Sequence, residues 1–235
     1  MALPDEIISS ITRTDAALLL IDLQRRHMDV DGVGYHTLPP DRARYVTSNA
    51  GKAIELAREV GMPVVHVATW SKPRTPWGNP SGSNPFFAWQ NGKPITGATF
   101  VRQADKCTEG SVYAEFMPET VPLPHEPVVV KFRYSGFYMT NLELVLRSLG
   151  IKTLFIAGVN SNNCVLHTSF DAHARDFVVI VLEDASGSMN GDQYHRMGIS
   201  QISASLGWVS STDEFADLMR STAPREGMAG TASTS

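Results

Sequence analysis

The chain has 235 residues, a formal net charge of −4 and a hydrophobic fraction of 43%. That length suffices for a substantial core, and no composition shift divides it, so one domain is expected over 1–222. No long run of either charge suggests a nucleic-acid or membrane surface. The longest apolar runs, AALLLI (16–21) and VVIVL (178–182), are far too short to span a bilayer. The start, MALPDEIISS, has no basic segment followed by an apolar core. A cytoplasmic location follows as the expectation, with Cys107 and Cys164 both reduced.

In chain order, buried strands alternate with helical segments. AALLLIDL (16–23) is an apolar run of strand length, and 43–60 carries apolar positions at helical spacing closed by Gly61. MPVVHVATW (62–70) is the next strand. Residues 71–127 are rich in Pro, Gly, Asn and Trp with little periodicity apart from an apolar hint near 112–117. Such a stretch within a domain usually serves as a lid, a binding loop or an oligomer contact. PVVVKF (127–132) reads as a strand, 141–150 as a helix ended by Gly150, and KTLFIAG (152–158) as a strand. A helix over 164–175, a strand over 178–185 and a helix over 190–204 follow. Residues 207–212 suit a short edge strand, and 223–235 a disordered Gly/Ser/Thr tail.

Continuous Val/Ile/Leu strands separated by helices predict an α/β fold: an open parallel sheet with helices on both faces, in three layers. Ligands bind such sheets beyond the carboxyl ends of the strands. Polar residues at those ends are Asp22, His66 to Trp70, Lys131, the 160–164 turn and Glu183-Asp184. A thiol in the first turn of a helix feels the positive end of the helix dipole, which favours thiolate. Cys164 is placed to attack a carbonyl carbon, although a small buried cysteine is common in any core. Lys131, at the end of a buried strand, needs a partner, and Asp22 supplies a carboxylate. Each residue alone is weak. An Asp, a Lys and a Cys ending three separate buried strands is a stronger pattern. In it the carboxylate moves the proton, the ammonium holds both anions, and backbone N–H groups at the turn receive developing negative charge.

LLLIDLQ (18–24), VVKFRYSGFYMTNLELVLRSLGI (129–151) and LFIAGVNSNNCVLHTSFDAHARDFVVIVLEDASGS (154–188) together resemble the isochorismatase-like cysteine hydrolases. That family includes nicotinamidases, N-carbamoylsarcosine amidohydrolase, ureidoacrylate amidohydrolase and the biuret and triuret hydrolases, and the similarity covers roughly 14–220. The resemblance implies a Rossmann-like fold, Asp22 as acid/base, Lys131 as the family's lysine and Cys164 as nucleophile. It also implies a cis peptide at Val159–Asn160, turning the Asn160 N–H toward the substrate oxygen beside that of Cys164.

The cysteine, absent from true isochorismatases, implies C–N hydrolysis. Nicotinamidases carry an Asp/His metal cluster after the second strand; here HVATWSKPRTPWGNPSG has one His and no D-x-H, so neither metal nor other cofactor is expected. KFRYSGF (131–137) resembles the ureidoacrylate branch. Tyr134 either covers a planar ureido group or only packs; Arg133 either binds a substrate carboxylate or carbonyl, or faces solvent. His27 stands where many relatives have Phe or Tyr beside the substrate. Trp70, Trp77, Phe86, Phe87 and Trp89 suit a pocket wall or a subunit interface. Asn162 and Asn163 either bond a substrate amide or cap the helix, and capping suits Asn162 better. The expected activity is cleavage of a small acyclic ureide or amide through a thioester or S-carbamoyl intermediate, in a dimer or tetramer. Alternatives are a nicotinamidase-like amidase, a non-catalytic binder and a redox thiol.

Overall fold

The computed structural model describes residues 3–34, 38–72, 75–76, 84–90 and 107–222. Much of the expected lid, including Trp77 and the side chain of Phe87, lies outside the described residues, as does the expected tail from 223.

Among the described residues, six strands pair in parallel into one sheet: β1 (Ala16–Ile21), β2 (Val64–Thr69), β3 (Val128–Lys131), β4 (Thr153–Val159), β5 (Val178–Gly187) and β6 (Trp208–Ser210). Their order is β3-β2-β1-β4-β5-β6. β1 and β4 are buried along their whole length, which is why they read as unbroken apolar runs rather than alternating ones.

Side-chain alternation sorts the strand residues into two cores. Leu18, Leu20, Phe155, Ala157 and Ile180 pack with Val46, Ala50 and Ile54 of α3 (Pro40–Glu59) and with Phe215 and Met219 of α8 (Thr212–Ser221). Leu19, Ile21, Leu154, Ile156 and Val181 pack with Leu142 and Leu146 of α5 (Leu142–Ser148), Val165 and Ala172 of α6 (Cys164–His173), and Ile199 and Ile202 of α7 (Asp192–Ser205). The result is the expected three-layer α/β/α arrangement. Between β1 and β4 the chain order reverses, and this opens the crevice where such sheets bind ligands.

Several elements depart from the expectation. α3 starts at Pro40, before the periodic stretch, because proline's fixed φ and missing N–H suit a helix's first turn. α8 continues where the sequence reading stopped at an edge strand; its Ser211/Glu214 capping box is complete. Three short helices, α1 (Asp5–Ser10), α2 (Arg25–Met28) and α4 (Pro85–Gln90), also occur. The segment from Cys107 to Pro127 is tied to the sheet's carboxyl side. Gln24 pairs with Phe116, Ser71 bridges Thr108, and Arg25 N donates to Glu115 O at 2.8 Å.

Candidate active site

Asp22 follows β1, Lys131 ends β3 and Cys164 opens α6, so the fold delivers all three to the carboxyl edge of the sheet. Lys131 Nζ lies 2.7 Å from Asp22 Oδ2 and donates to Cys164 Sγ at 3.3 Å. It also donates to Thr69 Oγ1 at 2.7 Å and to Arg133 O at 3.1 Å. The Thr69 hydroxyl in turn donates to Asp22 Oδ1 at 2.7 Å. Thr69 and Lys131 are register partners across β2 and β3, which explains why their side chains meet. Asp22 and Lys131 are each 1% exposed, so their charges interact across protein rather than water.

Burial acts on the thiol and the ammonium in opposite senses. It pushes the Cys164 thiol up to about 12, a rise that Lys131 opposes and Asp22 reinforces. Desolvation is the largest cause and outweighs the lysine. Burial would lower Lys131, but the facing Asp22 and Cys164 outweigh it, and its pKa stands above the ordinary lysine value. The resting set is a carboxylate–ammonium pair beside a protonated thiol. A buried pair of this kind is a net stabiliser only when each partner is present and well bonded.

The turn between β4 and α6 has the cis Val159–Asn160 peptide that the resemblance implied. Gly158, at φ +127°, lets β4 run against β1 here: a Cβ on it would sit 2.0 Å from Ile21 O. The Asn160 carbonyl accepts from the N–H groups of Asn163 and Val165, and its side-chain oxygen accepts from Met189 N at 2.8 Å. Among the described residues, no backbone carbonyl takes the N–H of Asn160 or of Cys164.

The remaining expected site residues fall around this centre. His27, on α2, is buried with Nδ1 3.1 Å from the sulfur of Met189, the residue held by Asn160. Tyr134 is half-buried, its ring 5.3 Å from that of His167, one turn into α6. Arg133 gives its carbonyl to Lys131 and turns its guanidinium onto Phe132 O at 2.7 Å. Trp70 follows β2, half-buried. Asn163 is the N-cap of α6, and no side-chain cap bond forms there. Asn162, expected to cap the helix, instead binds the loop after β5: it accepts from Ser188 Oγ at 2.6 Å and donates to Asn190 Oδ1 at 3.2 Å. Phe86 and Trp89 stack on each other at 5.8 Å and are 54% and 61% exposed.

His66, on β2, is fully buried. Its Nε2 lies 3.0 Å from Glu126, which also pairs with Arg58. Among the described residues, no group of three or more His, Cys, Asp or Glu is placed to hold a metal ion.

Two residues to which the sequence reading gave no role of their own complete the framework. Thr69 bonds both charged members of the centre. Gln24 accepts from Thr69 N at 2.9 Å and donates to Ala114 O at 2.8 Å, joining the ends of β1 and β2 to the 111–117 segment. Their signal was only positional: Thr69 ends β2, and Gln24 lies three residues beyond the end of β1.

Comparison with known proteins bears on this arrangement. The Isochorismatase domain description matches residues 16–214, most of the chain. The chain belongs to the isochorismatase family. It is 30% identical over 218 residues to the ureidoacrylate amidohydrolase RutB of Variovorax paradoxus, a match spanning 90% of this chain and 82% of that protein. Among solved structures, N-carbamoylsarcosine amidase from Thermoplasma acidophilum is 27% identical with a TM-score of 0.64, over 85% of this chain and 97% of that one. A cysteine hydrolase from Pseudomonas syringae pv. phaseolicola shares the fold at a TM-score of 0.74 and 20% identity, over 90% of this chain and 95% of that one.

Proposed function

We propose that the protein is a cysteine amidohydrolase that cleaves a C–N bond of a small acyclic ureide or amide through a covalent intermediate on Cys164. The hydrolase class rests on the family and on its amidohydrolase relatives. The observation that carries the mechanism is Lys131 Nζ bonded at once to Asp22 and to the Cys164 sulfur.

In this reading the thiol stays protonated until substrate arrives. Asp22 takes the Sγ proton as sulfur attacks the carbonyl carbon, and the carbonyl oxygen gains the negative charge. The N–H groups of Asn160 and Cys164 receive that oxygen, in a dry site where each donor counts for more than in water. The intermediate collapses, the C–N bond breaks, and Asp22 returns the proton to the leaving nitrogen as ammonia or an amine. Water, losing a proton to Asp22, then attacks the thioester or S-carbamoyl carbon and frees the thiol. Lys131 stays charged throughout and keeps Asp22 and Cys164 in reach of one proton. Tyr134, His27, Trp70, Asn163 and Arg133 are the residues we assign to the substrate's walls.

The test is ammonia release from ureidoacrylate, biuret, triuret and nicotinamide. Turnover of at least one ureide with little or none of nicotinamide is expected. Turnover of nicotinamide alone, or of none, contradicts the proposed substrate class.

A further inference from the structure

Behind the turn that carries the nucleophile lies a second buried polar network, which the mechanism above does not use. His195, on α7, is 4% exposed and Ser161, next to the cis peptide, is fully buried. Their Nδ1 and Oγ atoms are 3.0 Å apart. On the other side of the imidazole, an Arg42 Nη2 from α3 lies 3.1 Å from His195 Nε2 and donates to Ser186 O at 3.1 Å. A guanidinium has hydrogens and no acceptor, so Nε2 must offer its lone pair, and the ring proton must sit on Nδ1, facing Ser161. One tautomer alone satisfies both neighbours.

The same helix presses on the same turn one step further along. Gly198 packs so closely that a Cβ on it would lie 2.6 Å from Ser161 O and 2.9 Å from Asn162 Cα. Ser161 N donates to Gly187 O at 2.7 Å, so the turn is gripped by α7 from one side and by the end of β5 from another.

The charges facing His195 are of both signs. Besides Arg42 from α3, Glu183 of β5 has Oε1 3.9 Å from Nε2, and on α7 itself Asp192 and Arg196 pair with each other. Burial first, then Arg42, hold the imidazole down at about 4, with Asp192 opposing and Arg196 adding to the fall. It is neutral at pH 7.

We propose that His195, as the neutral Nδ1–H tautomer fixed by Arg42, is a positioning residue. It locks Ser161, and through it the placing of the Asn160 and Cys164 amides that receive the substrate oxygen. This rests on the functional reading above. A displacement of the turn by a fraction of an ångström would leave the thiol in place but misdirect the oxyanion donors, and geometry errors of about 1 Å cost on the order of 100-fold in rate.

An asparagine at 195 can put its amide N–H where Nδ1–H stands, whereas a glutamine reaches only the Nε2 position. Ammonia release from ureidoacrylate or biuret by His195→Asn, His195→Gln, Ser161→Ala and Gly198→Ala tests this. Expected are kcat losses of about 10- to 100-fold for His195→Gln, Ser161→Ala and Gly198→Ala, with KM within about 3-fold. His195→Asn should recover most of the wild-type kcat. Alkylation of Cys164 by iodoacetamide should proceed at an unchanged rate in all four. The [15N]histidine spectrum of the wild type at pH 7, assigned with His195→Asn, should show Nδ1 protonated and Nε2 bare. An Nε2–H or cationic ring, or unchanged kcat in both His195→Gln and Ser161→Ala, overturns the proposal while leaving Cys164 chemistry intact. Equal losses for Asn and Gln at 195 overturn it too. A wild type inactive on both ureides overturns the functional reading, and this inference with it.

Discussion

Two buried ionic clusters sit on this one sheet, and they differ in what their charges are left to do. Arg58, Glu126 and His66 form one beside β2 and the start of β3; Asp22, Lys131 and Cys164 form the other at the strands' carboxyl ends. In the first, Glu126 accepts from the guanidinium on both oxygens, at 2.8 and 2.9 Å, and from Leu123 N at 2.8 Å. Burial opposes its ionisation, but those bonds to Arg58, Leu123 and His66 hold it down at about 2. Burial also holds His66 below the ordinary histidine value. Both oxygens of that carboxylate are already held by hydrogen bonds. In the second cluster the thiol proton is still to be moved, next to a carboxylate that can take it. Buried charge alone does not mark a catalytic centre; a mobile proton at the ligand edge does.

That contrast predicts opposite phenotypes. Among the charged residues of the two clusters, the largest effect is expected at Asp22 and Lys131. Asp22→Asn and Lys131→Met should each lower kcat for the confirmed ureide by about 10²- to 10⁴-fold, because each removes proton transfer or the charge that organises it. Either variant within 10-fold of wild type breaks the distinction. Tyr134→Ala comes next: a KM raised about 5- to 50-fold with kcat less affected is expected if its ring covers the substrate. Unchanged KM would make Tyr134 a packing residue.

At the other cluster, Glu126→Gln should cost about 1–3 kcal/mol of stability while kcat per folded molecule stays within 2-fold. Because the Glu126 pKa is lower in the fold, its contribution is complete above about 4.5 and disappears as pH falls toward 2. His66, also lowered, contributes fully above its ordinary value near 6.5, and that contribution declines as pH drops below it. The wild-type melting temperature should therefore fall from about pH 6.5 downward, steepening below about 4.5. Glu126→Gln should flatten the lower part of that fall. A parallel fall in the variant would contradict the assignment. The smallest effect is expected from a chelator: dialysis should leave activity within about 20%, in keeping with chemistry in which Cys164 attacks directly. Loss restored by zinc, iron or manganese would contradict it.

The proposed catalytic set was legible because its members, each weak alone, all follow buried apolar runs: ALLLI before Asp22, PVVV before Lys131, TLFIAG ahead of the Cys164 turn. Short-range pattern carries that much. It does not carry Thr69, which ends a strand as any β-branched residue does, nor Ser161 and His195, which meet from 34 residues apart. α8 did have a readable start in Ser211 and Glu214, whereas α2, at four residues, is too short to show a period. The rise in the Cys164 pKa was not legible, because sequence shows the helix start and not the burial of the thiol.

The central claim is that Cys164 is the nucleophile, and steady-state ammonia release by Cys164→Ala tests it most directly. On the ureide that the wild type hydrolyses fastest, kcat should fall by about 10⁴-fold or more, with the melting temperature within a few degrees of wild type. A Cys164→Ala protein that keeps turnover within 10-fold of wild type would contradict the account.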